Sequence, residues 1–472
     1  MVCDVTEVPS EERNSRYQTC SDCCCSSWDR AALVETMSPR AHAWATYCTT
    51  IVLSGLVSCL AAELPVLKGR PFVSVWNAPT SPCLDRFGVT LDLSTFDIVL
   101  NQNHTFQGSE VVIFYSSQLG LYPYYDQSLS PVNGGLPQNN SLKDHLDKAF
   151  MDLLETISDP AFTGVAVVDW ESWRPLWARN WDKMRVYQQS SQDLVKEIYP
   201  DLPPDEVLEL AKAEFETAAR KIMQSTLELG RELRPNGLWG FYGFPGCYNY
   251  GYKNFGQNYT GKCPIDEIHR NDNLTWLWEA SQALYPDIYL EQALKMSENV
   301  GPYVKYRVLE GIRVAKDLPV LPYARIVYTY SMDFLTQEDL IQTIGQSAAL
   351  GAAGVILWGN ADYSRSKESC LAVNSYIDET LGHYLVNVSS SATLCSKAVC
   401  AGNGRCVRRD PSSDSYLHLH PDSFRIKRHP QGRGFVVSGQ ASKWDIVYFV
   451  EHFHCRCYPG WDGEDCTRRI IL

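Results

Sequence analysis

The chain has 472 residues, of which 45% are hydrophobic and 12% aromatic, so it can bury a sizeable core and is not mainly disordered. Its formal net charge is -13 at pH 7. A general nucleic-acid-binding protein needs basic residues to neutralise phosphates, so this charge argues against such a partner. The composition indicates a globular, acidic protein.

An uncharged apolar segment, residues 44–62, separates a polar leader from the rest of the chain. It ends in small residues that suit signal-peptidase cleavage near Ala61 or Ala62, which predicts entry into the secretory pathway. Met37 opens a signal of ordinary length, so the residues before it fit an upstream extension or an alternative start. We assign residues 1–62 to leader and signal, and we expect a secreted or lysosomal protein without a membrane span after cleavage. An uncleaved anchor is the alternative, because the segment could just cross a bilayer.

Sequons and cysteines agree with an oxidising compartment. All the Asn-x-Ser/Thr sequons follow the apolar segment, and ten of the 17 cysteines lie in the body, an even number that suits disulfides. The leader cluster Cys20–Cys25 lacks a second ligand pair, so we expect no metal site there. The predicted glycosylation sites are Asn103, Asn139, Asn258, Asn273 and Asn387.

Apolar runs typical of strands recur from about residue 70, and each ends in aromatic or polar residues. Helical patterns lie between several of them, the clearest over residues 203–233. This alternation predicts an α/β fold with a parallel sheet, and its length favours a distorted (β/α) barrel over 63–390, with a doubly wound sheet as the alternative. In such a barrel the catalytic residues lie at the carboxyl ends of the strands. The strand-like runs are FVSVWN, VVIFY, VAVVDWE, LWGFY, ARIVYTY and GVILWGN.

The amino-acid composition changes after residue 390, where cysteines become frequent. The C-x-C-x8-C ending that starts at Cys455, with Gly and Trp inside it, resembles an epidermal-growth-factor-like module held mainly by disulfides. The gap between Cys406 and Cys455 is longer than such a module needs. Residues 391–472 are therefore predicted to form this module with a long insertion.

Two acids, Asp169 and Glu171, close the apolar run GVAVV. Alternate side chains of a strand share a face, so both acids should point the same way as Val165 and Val167. Their Cα atoms would lie about 7 Å apart, close enough for the carboxyls to share a proton, and one pKa must then rise. We interpret the pair as an acid able to donate at mildly acidic pH. The alternative is a plain strand end whose acids meet solvent or pair with Arg174.

Aromatic rings near the predicted strand ends suit packing against sugar faces, although most aromatic residues are core residues. Two acids on one strand lie on the same side of a glycosidic bond, so they cannot readily act as acid and opposed nucleophile. The N-acetyl group of a substrate can attack through its own carbonyl oxygen instead, which makes an N-acetylhexosaminide a natural substrate. The rings are Trp170, Trp173, Tyr115, Tyr242 and Trp358.

With these residues in view, the chain resembles the vertebrate hyaluronidases, most of all the acid-active lysosomal and plasma type. The motifs AVVDWESWRP, LWGFYGFPGCYNY, ALYPDIY and GAAGVILWG carry the resemblance. It implies a distorted β/α barrel followed by an epidermal-growth-factor-like module. It also implies retaining hydrolysis of β-1,4 bonds next to N-acetylglucosamine in hyaluronan, with slower action on chondroitin.

The resemblance also implies roles for individual residues. Glu171 would donate the proton and later act as the base, while Asp169 would stabilise the cyclised acetamido intermediate. Tyr242 and Tyr289 would hold the acetamido group. The residues that would bind substrate or shape the groove are Tyr115, Trp358, Asn77 and Arg307.

All ten body cysteines would pair if the resemblance holds. Two residues depart from the family pattern, because Gly246 stands where Asp is usual and Asp287 where Ser is frequent. Neither change touches the acid pair, so we expect activity, with an altered pH profile or subsite affinity left open. The implied disulfides are Cys83–Cys370, Cys247–Cys263, Cys395–Cys406, Cys400–Cys455 and Cys457–Cys466.

The leading interpretation is a monomeric endo-β-N-acetylhexosaminidase that acts on hyaluronan and needs no metal or cofactor. A protein this negative repels a glucuronate polymer at neutral pH, and protonation removes much of that repulsion, so we expect an acidic optimum. A weakly catalytic or non-catalytic hyaluronan-binding cell-surface protein is the alternative from another class. A hydrolase that prefers chondroitin is the third possibility.

Overall fold

The computed structural model describes the chain in four stretches, residues 67–99, 110–255, 258–430 and 432–470. The predicted signal segment 44–62 and the sequon Asn103 lie outside these stretches. Within the stretches, every helix is too short or too polar to cross a membrane. All the elements named below belong to one compact unit.

Strands form where β-branched and aromatic residues cluster, and helices occupy most of the segments between them. In chain order the strands are β1 (Val73–Asn77), β2 (Ile98–Val99), β3 (Val111–Tyr115), β4 (Tyr124–Tyr125), β5 (Pro131–Val132), β6 (Val165–Asp169), β7 (Leu238–Phe241), β8 (Tyr323–Ala324), β9 (Gly354–Trp358), β10 (Gly404–Arg408), β11 (Phe424–Arg428), β12 (Phe435–Gly439), β13 (Phe453–Cys457), β14 (Trp461–Asp462) and β15 (Arg468–Arg469). The α-helices are α1 (Ser81–Asp85), α2 (Leu142–Thr156), α3 (Arg185–Ile198), α4 (Pro204–Leu233), α5 (Tyr252–Phe255), α6 (Ile265–Asp272), α7 (Thr275–Ala280), α8 (Val300–Ala315), α9 (Gln337–Leu340), α10 (Gln346–Ala349), α11 (Lys367–Tyr376), α12 (Gly382–Val399) and α13 (Lys443–His452).

Parallel pairing joins the buried strands in two groups, with the orders β2-β1-β9-β8 and β3-β6-β7. Isolated parallel bridges continue the pairing between the groups, because Tyr242 pairs with Tyr285, and Asp287 pairs with Tyr323 of β8. The continuous apolar runs of the sequence are thus strands covered on both faces. The predicted α/β fold with parallel strands is confirmed.

The predicted strand in ARIVYTY is wrong in extent. Only its first residue, Ala324, belongs to β8, and Val327 forms an antiparallel bridge with Phe334 instead. Ile326 and Val327 are nevertheless fully buried, packed in a cluster that includes Val304 of α8. An apolar run can be buried by helices as well as by a sheet, and periodicity alone does not separate the two.

The predicted long helix is present as α4. A proline and two acids begin it, which suits the first turn, where backbone N–H groups lack partners and the helix dipole favours negative charge. Its buried face includes Val207, Ala211, Phe215 and Ala219, at a four-residue spacing. The helix packs against α2 and α3 and so covers the outer side of β6 and β7.

The two faces of β6 enter different cores. Val165 and Val167 belong to an inner cluster with residues of β1, β3 and β9, whereas Ala166 and Val168 pack outward against the helices. This alternation is the one that the sequence predicts for a strand. It decides the direction of the residues that follow.

The C-terminal part is built on disulfides and a short antiparallel ladder. β10 pairs with β13 with Cys406 opposite Cys455, and the hairpin β11–β12 lies in the predicted insertion between them. Arg408 Nη1 donates to Gln346 Oε1 at 2.7 Å, which ties this part to α10. The five disulfides are the pairs implied by the family resemblance, Cys83–Cys370, Cys247–Cys263, Cys395–Cys406, Cys400–Cys455 and Cys457–Cys466.

Candidate active site

A groove of about 690 Å³ opens at the carboxyl ends of the parallel strands. Tyr115 at the end of β3 lies opposite Asp169 at the end of β6, and Trp358 ends β9. These three residues and Glu171 all line the groove. Strand register therefore brings together four of the residues singled out in the sequence.

Asp169 and Glu171 lie on one side of the chain, as predicted. Both face the groove, on the same side as Val165 and Val167 of the inner cluster, while Trp170 between them is 3% exposed and faces the helices. The Glu171 side chain is 56% exposed, whereas Asp169 is mostly buried. One acid is thus open to a ligand and the other lies behind it.

The buried acid holds its proton more tightly than an ordinary aspartate. Burial and the adjacent charge of Glu171 raise the pKa of Asp169 to about 7, against the opposing effect of Arg174. Asp169 Oδ1 has no hydrogen-bond partner among the described residues. Glu171 Oε1 lies 3.7 Å from Arg174 Nη2, so the pairing with Arg174 considered from the sequence is also present. The two carboxyls together can hold a proton up to about neutral pH.

A row of aromatic rings lies beside the acids. Tyr242 lies 6.2 Å from Tyr289 between ring centroids, and Tyr289 is stacked on Trp358 at 6.2 Å. Trp358 Nε1 donates to the Tyr115 hydroxyl at 3.4 Å. Burial raises the pKa of the Tyr242 and Tyr289 phenols well above the ordinary value, so both remain neutral hydroxyls that can donate hydrogen bonds.

Asn77 and Arg307 are placed differently from the other predicted substrate-binding residues. Asn77 is fully buried and its Nδ2 donates to the Tyr323 hydroxyl at 3.4 Å. Arg307 is 3% exposed and donates to Asp287 Oδ2 at 2.7 Å and to Asn249 Oδ1 at 2.9 Å. This burial fits a role in supporting the groove, which the family resemblance implies for both residues, better than direct contact with a ligand.

Two tryptophans expected to face sugars belong to the core instead. Trp170 stacks on Tyr122 at 4.6 Å, and Trp173 Nε1 donates to the Pro123 carbonyl at 2.7 Å. Trp173 is 2% exposed. For Trp170 the reason is the alternation that turned Asp169 into the groove, because it turns the next residue away. Trp173 lies beyond the end of β6, so this alternation does not apply to it.

Sequence reasoning missed Arg325 and the ion pair of Asp287. The Arg325 guanidinium lies 5.1 Å from the Trp358 ring and 6.0 Å from that of Tyr289, where it can hold both by cation–π attraction. Asp287, which departs from the family pattern, is matched by Arg307. A strand-end arginine after an apolar run was the available signal for Arg325, whereas nothing local connects Asp287 to a residue twenty positions later.

The described sequons differ in exposure. Asn139, Asn258 and Asn273 are exposed, whereas Asn387 is half-buried in α12 and its Oδ1 accepts from the Leu419 backbone N–H at 2.7 Å.

Within the described stretches, no group of three or more His, Cys, Asp or Glu side chains is arranged to hold a metal ion.

Comparisons with known proteins identify the family of the chain. The family model described as Hyaluronidase, glycoside hydrolase family 56, matches residues 61–470. The chain is 48% identical to Hyaluronidase-1 of Sus scrofa over 425 residues, 89% of this chain and 97% of that protein. It is 49% identical to Hyaluronidase-1 of Homo sapiens over 412 residues, 86% of this chain and 94% of that one.

A solved structure is also similar. The crystal structure of bee venom hyaluronidase in complex with a hyaluronic acid tetramer matches with a TM-score of 0.61 and 31% identity, covering 68% of this chain and 99% of that one. The sequence matches extend over most of the chain, and the structural match covers about two thirds of it. The chain belongs to the hyaluronidase family of glycoside hydrolases.

Proposed function

We propose that the groove at the strand ends hydrolyses β-1,4 bonds next to N-acetylglucosamine in hyaluronan, and more slowly the corresponding β-1,4 bonds next to N-acetylgalactosamine in chondroitin. The observation that carries the proposal is the buried Asp169 beside the exposed Glu171 at the carboxyl edge of parallel strands, in a chain of the hyaluronidase family. The hyaluronic acid tetramer bound to the similar bee venom enzyme supports the choice of substrate.

Glu171 is the proposed proton donor because it is the acid that the groove exposes. It would protonate the glycosidic oxygen as the bond to C1 breaks, while the acetamido carbonyl oxygen of the same sugar attacks C1. A water molecule then opens the cyclised intermediate and gives its proton to Glu171. Both displacements occur at C1, so the configuration is retained.

Asp169 is the proposed partner of the acetamido group. As the carbonyl oxygen attacks, positive charge develops on the acetamido nitrogen, and a carboxylate behind it stabilises that charge. Tyr242 and Tyr289 are proposed to orient the same group as neutral hydroxyl donors, and Tyr115 and Trp358 to shape the groove. Asn77 and Arg307 would act only through the residues that they support.

The raised pKa of Asp169 supports operation at acidic pH. Below about pH 7 Asp169 holds a proton, which it can pass through the adjacent Glu171 to the leaving oxygen. Above that pH Asp169 loses this proton. A rate of hyaluronan degradation that peaks above pH 7 would contradict this account.

Hyaluronan fragmentation by the full chain, measured by size-exclusion chromatography from pH 4 to pH 8, tests the proposal. We expect Glu171→Gln to lower kcat by about 10³-fold, since it removes the acid and the base. Glu197→Gln, an exposed glutamate of α3, is the matched control and should retain full activity. Equal fragmentation by Glu171→Gln and the parent would exclude the proposed donor, and binding without turnover by the parent would favour the non-catalytic alternative.

Parallel reactions with chondroitin decide the substrate preference. The two polymers differ in the orientation of one hydroxyl group of the hexosamine. The ratio of kcat/KM for hyaluronan to kcat/KM for chondroitin therefore measures how strongly the groove discriminates between the two orientations. We expect the ratio to favour hyaluronan. A ratio that favours chondroitin would assign the third alternative.

We also propose the finer architecture, localisation and modification. The linked parallel strands support closure into a distorted (β/α) barrel, and the three C-terminal disulfides support an epidermal-growth-factor-like module. The expected boundary at residue 390 falls within α12, and Cys395, the first cysteine of the proposed module, lies on the same helix. A secreted or lysosomal monomer, glycosylated at the sequons, is the state that N-terminal sequencing and glycosidase treatment of secreted protein would test.

A further inference from the structure

A small cavity next to the groove is lined by three arginines. It encloses about 30 Å³, and Arg174, Arg179 and Arg270 contribute to its wall together with Gly246 and Glu267. Glu267 is 5% exposed and contacts both Arg179 and Arg270. Among the lining residues, three guanidinium charges therefore face one carboxylate.

Two of these arginines have N–H groups without an acceptor. Arg174 Nη1 and Arg179 Nε are buried and have no hydrogen-bond partner among the described residues. A buried charged donor without an acceptor is costly, more so than a neutral one. The two nitrogens belong to side chains that bound the same cavity, so a single acceptor in it can serve both.

Arg174 and Arg179 differ in their electrostatic surroundings. Burial opposes the charge of Arg174, but Tyr248 and Glu171 outweigh it and raise the pKa of Arg174. Burial lowers the pKa of Arg179 to about 10, and the charges of Arg270 and Arg174 act in the same direction, while Tyr248 and the exposed Asp266 oppose them. The guanidinium lies 3.8 Å from the centre of the Tyr248 ring, which partly offsets its burial. Mutual repulsion of the arginines is what an anion between them would remove.

We propose that this cavity binds one small monovalent anion, chloride in ordinary salt solutions. About 30 Å³ has room for one or two groups the size of a water molecule, which favours a small anion over a phosphate. Water would satisfy the two N–H groups but would leave three guanidiniums facing one carboxylate of the lining, with Glu171 paired to Arg174 from outside the cavity. The site is distinct from the proposed sugar groove, although Arg174 borders both, since its Nη2 lies 3.7 Å from Glu171.

Gly246 leaves the space open. A Cβ atom there would lie 2.7 Å from Cε2 of Tyr248, so any side chain must displace that ring or fill part of the cavity. An aspartate at this position would bring its own carboxylate to the arginines. Gly246→Asp and Gly246→Asn introduce side chains of nearly the same size, but only the aspartate is charged. Comparing the two variants therefore distinguishes the effect of a negative charge in the cavity from the effect of filling it.

The direct test is a crystal of the parent protein grown in sodium bromide, with data collected at the bromine absorption edge. We expect an anomalous peak in the cavity, at hydrogen-bonding distance from Arg174 and Arg179. Water at this position, with no anomalous signal at saturating bromide, would overturn the proposal. This measurement does not depend on any variant folding or on the enzymatic activity.

Thermal unfolding provides the second test, in sodium chloride and sodium gluconate at equal ionic strength. At chloride tenfold above its Kd we expect the Tm of the parent to rise by about 1–2 °C, because the ligand binds only the folded state. Both Gly246 variants should lose this chloride effect, and Gly246→Asp should unfold at the higher temperature of the two. A bromide peak without any chloride effect on Tm would mean an adventitious ion only and would count against a functional site.

Discussion

Asp169 and Asp287 occupy comparable places on the rim of strand ends and have opposite surroundings. Asp169 lies beside another carboxylate, and its Oδ1 has no hydrogen-bond partner in the described part of the chain. Asp287 accepts a hydrogen bond from Arg307 Nη1 at 2.7 Å, in an ion pair that is largely buried. Aspartate is therefore placed to hold a proton at one strand end, as Asp169, and to remain a charged partner of an arginine at the other, as Asp287.

Breaking the ion pair from its cationic side should have the largest effect on stability. Arg307→Met leaves Asp287, which is 24% exposed, without its cation, and Asn249 without its donor. We expect the free energy of unfolding to fall by about 3 kcal/mol, as when one partner of a buried pair is removed. Urea unfolding of the variant, compared with the double variant Arg307→Met/Asp287→Ser, measures it. The double variant should recover part of the loss, and no recovery would mean that packing rather than charge explains the change.

Removing the charge of Asp169 should stabilise the folded protein by an amount that grows with pH, to about 2 kcal/mol at pH 8. The folded-state pKa of about 7 lies above the unfolded value of 3.8, so the folded protein binds the extra proton between these values. The parent should therefore lose stability relative to Asp169→Asn as pH rises from 4 to 7. Urea unfolding at pH 4.5 and pH 8 measures this, and Asp201→Asn, at an exposed residue, should leave the pH dependence unchanged. A parent that gains stability over this range relative to Asp169→Asn would contradict the raised pKa.

The smallest effect is expected from Asp287→Ser. Arg307 keeps its bonds to Asn249 Oδ1 and to the backbone carbonyl of residue 287, so the cation is not left without acceptors. We expect a loss of about 1 kcal/mol in stability and less than a threefold change in kcat/KM for hyaluronan. A tenfold loss of kcat/KM with unchanged stability would show instead that Asp287 itself acts on the substrate.

The sequence predicted one half of this contrast and not the other. The alternation from Val165 to Glu171 is a local property of a strand, and it correctly placed both acids on the inner side. The same alternation implies that Trp170, which lies between the two acids, faces outward and not toward a sugar. The Arg307–Asp287 pair joins a helix to a strand end, and only the packing of α8 brings the two together.

The same distinction explains the rest of the fold. Strand and helix types followed from periodicity, whereas the short extent of β8 depended on which neighbours cover Ile326 and Val327. The disulfide pairs were implied by family resemblance, since spacing alone permits many pairings. Long-range contacts are where a single sequence carries the least information.

The position of Cys400–Cys455 has a consequence for proteolysis. This disulfide is the covalent link that spans the insertion, because Cys395–Cys406 lies wholly before it and Cys457–Cys466 wholly after it. A protease that cuts once anywhere between residues 407 and 454 would yield two polypeptides that migrate together until a reductant is added. A nicked molecule would thus keep its C-terminal strand β13 tethered to the body through a single sulfur–sulfur bond.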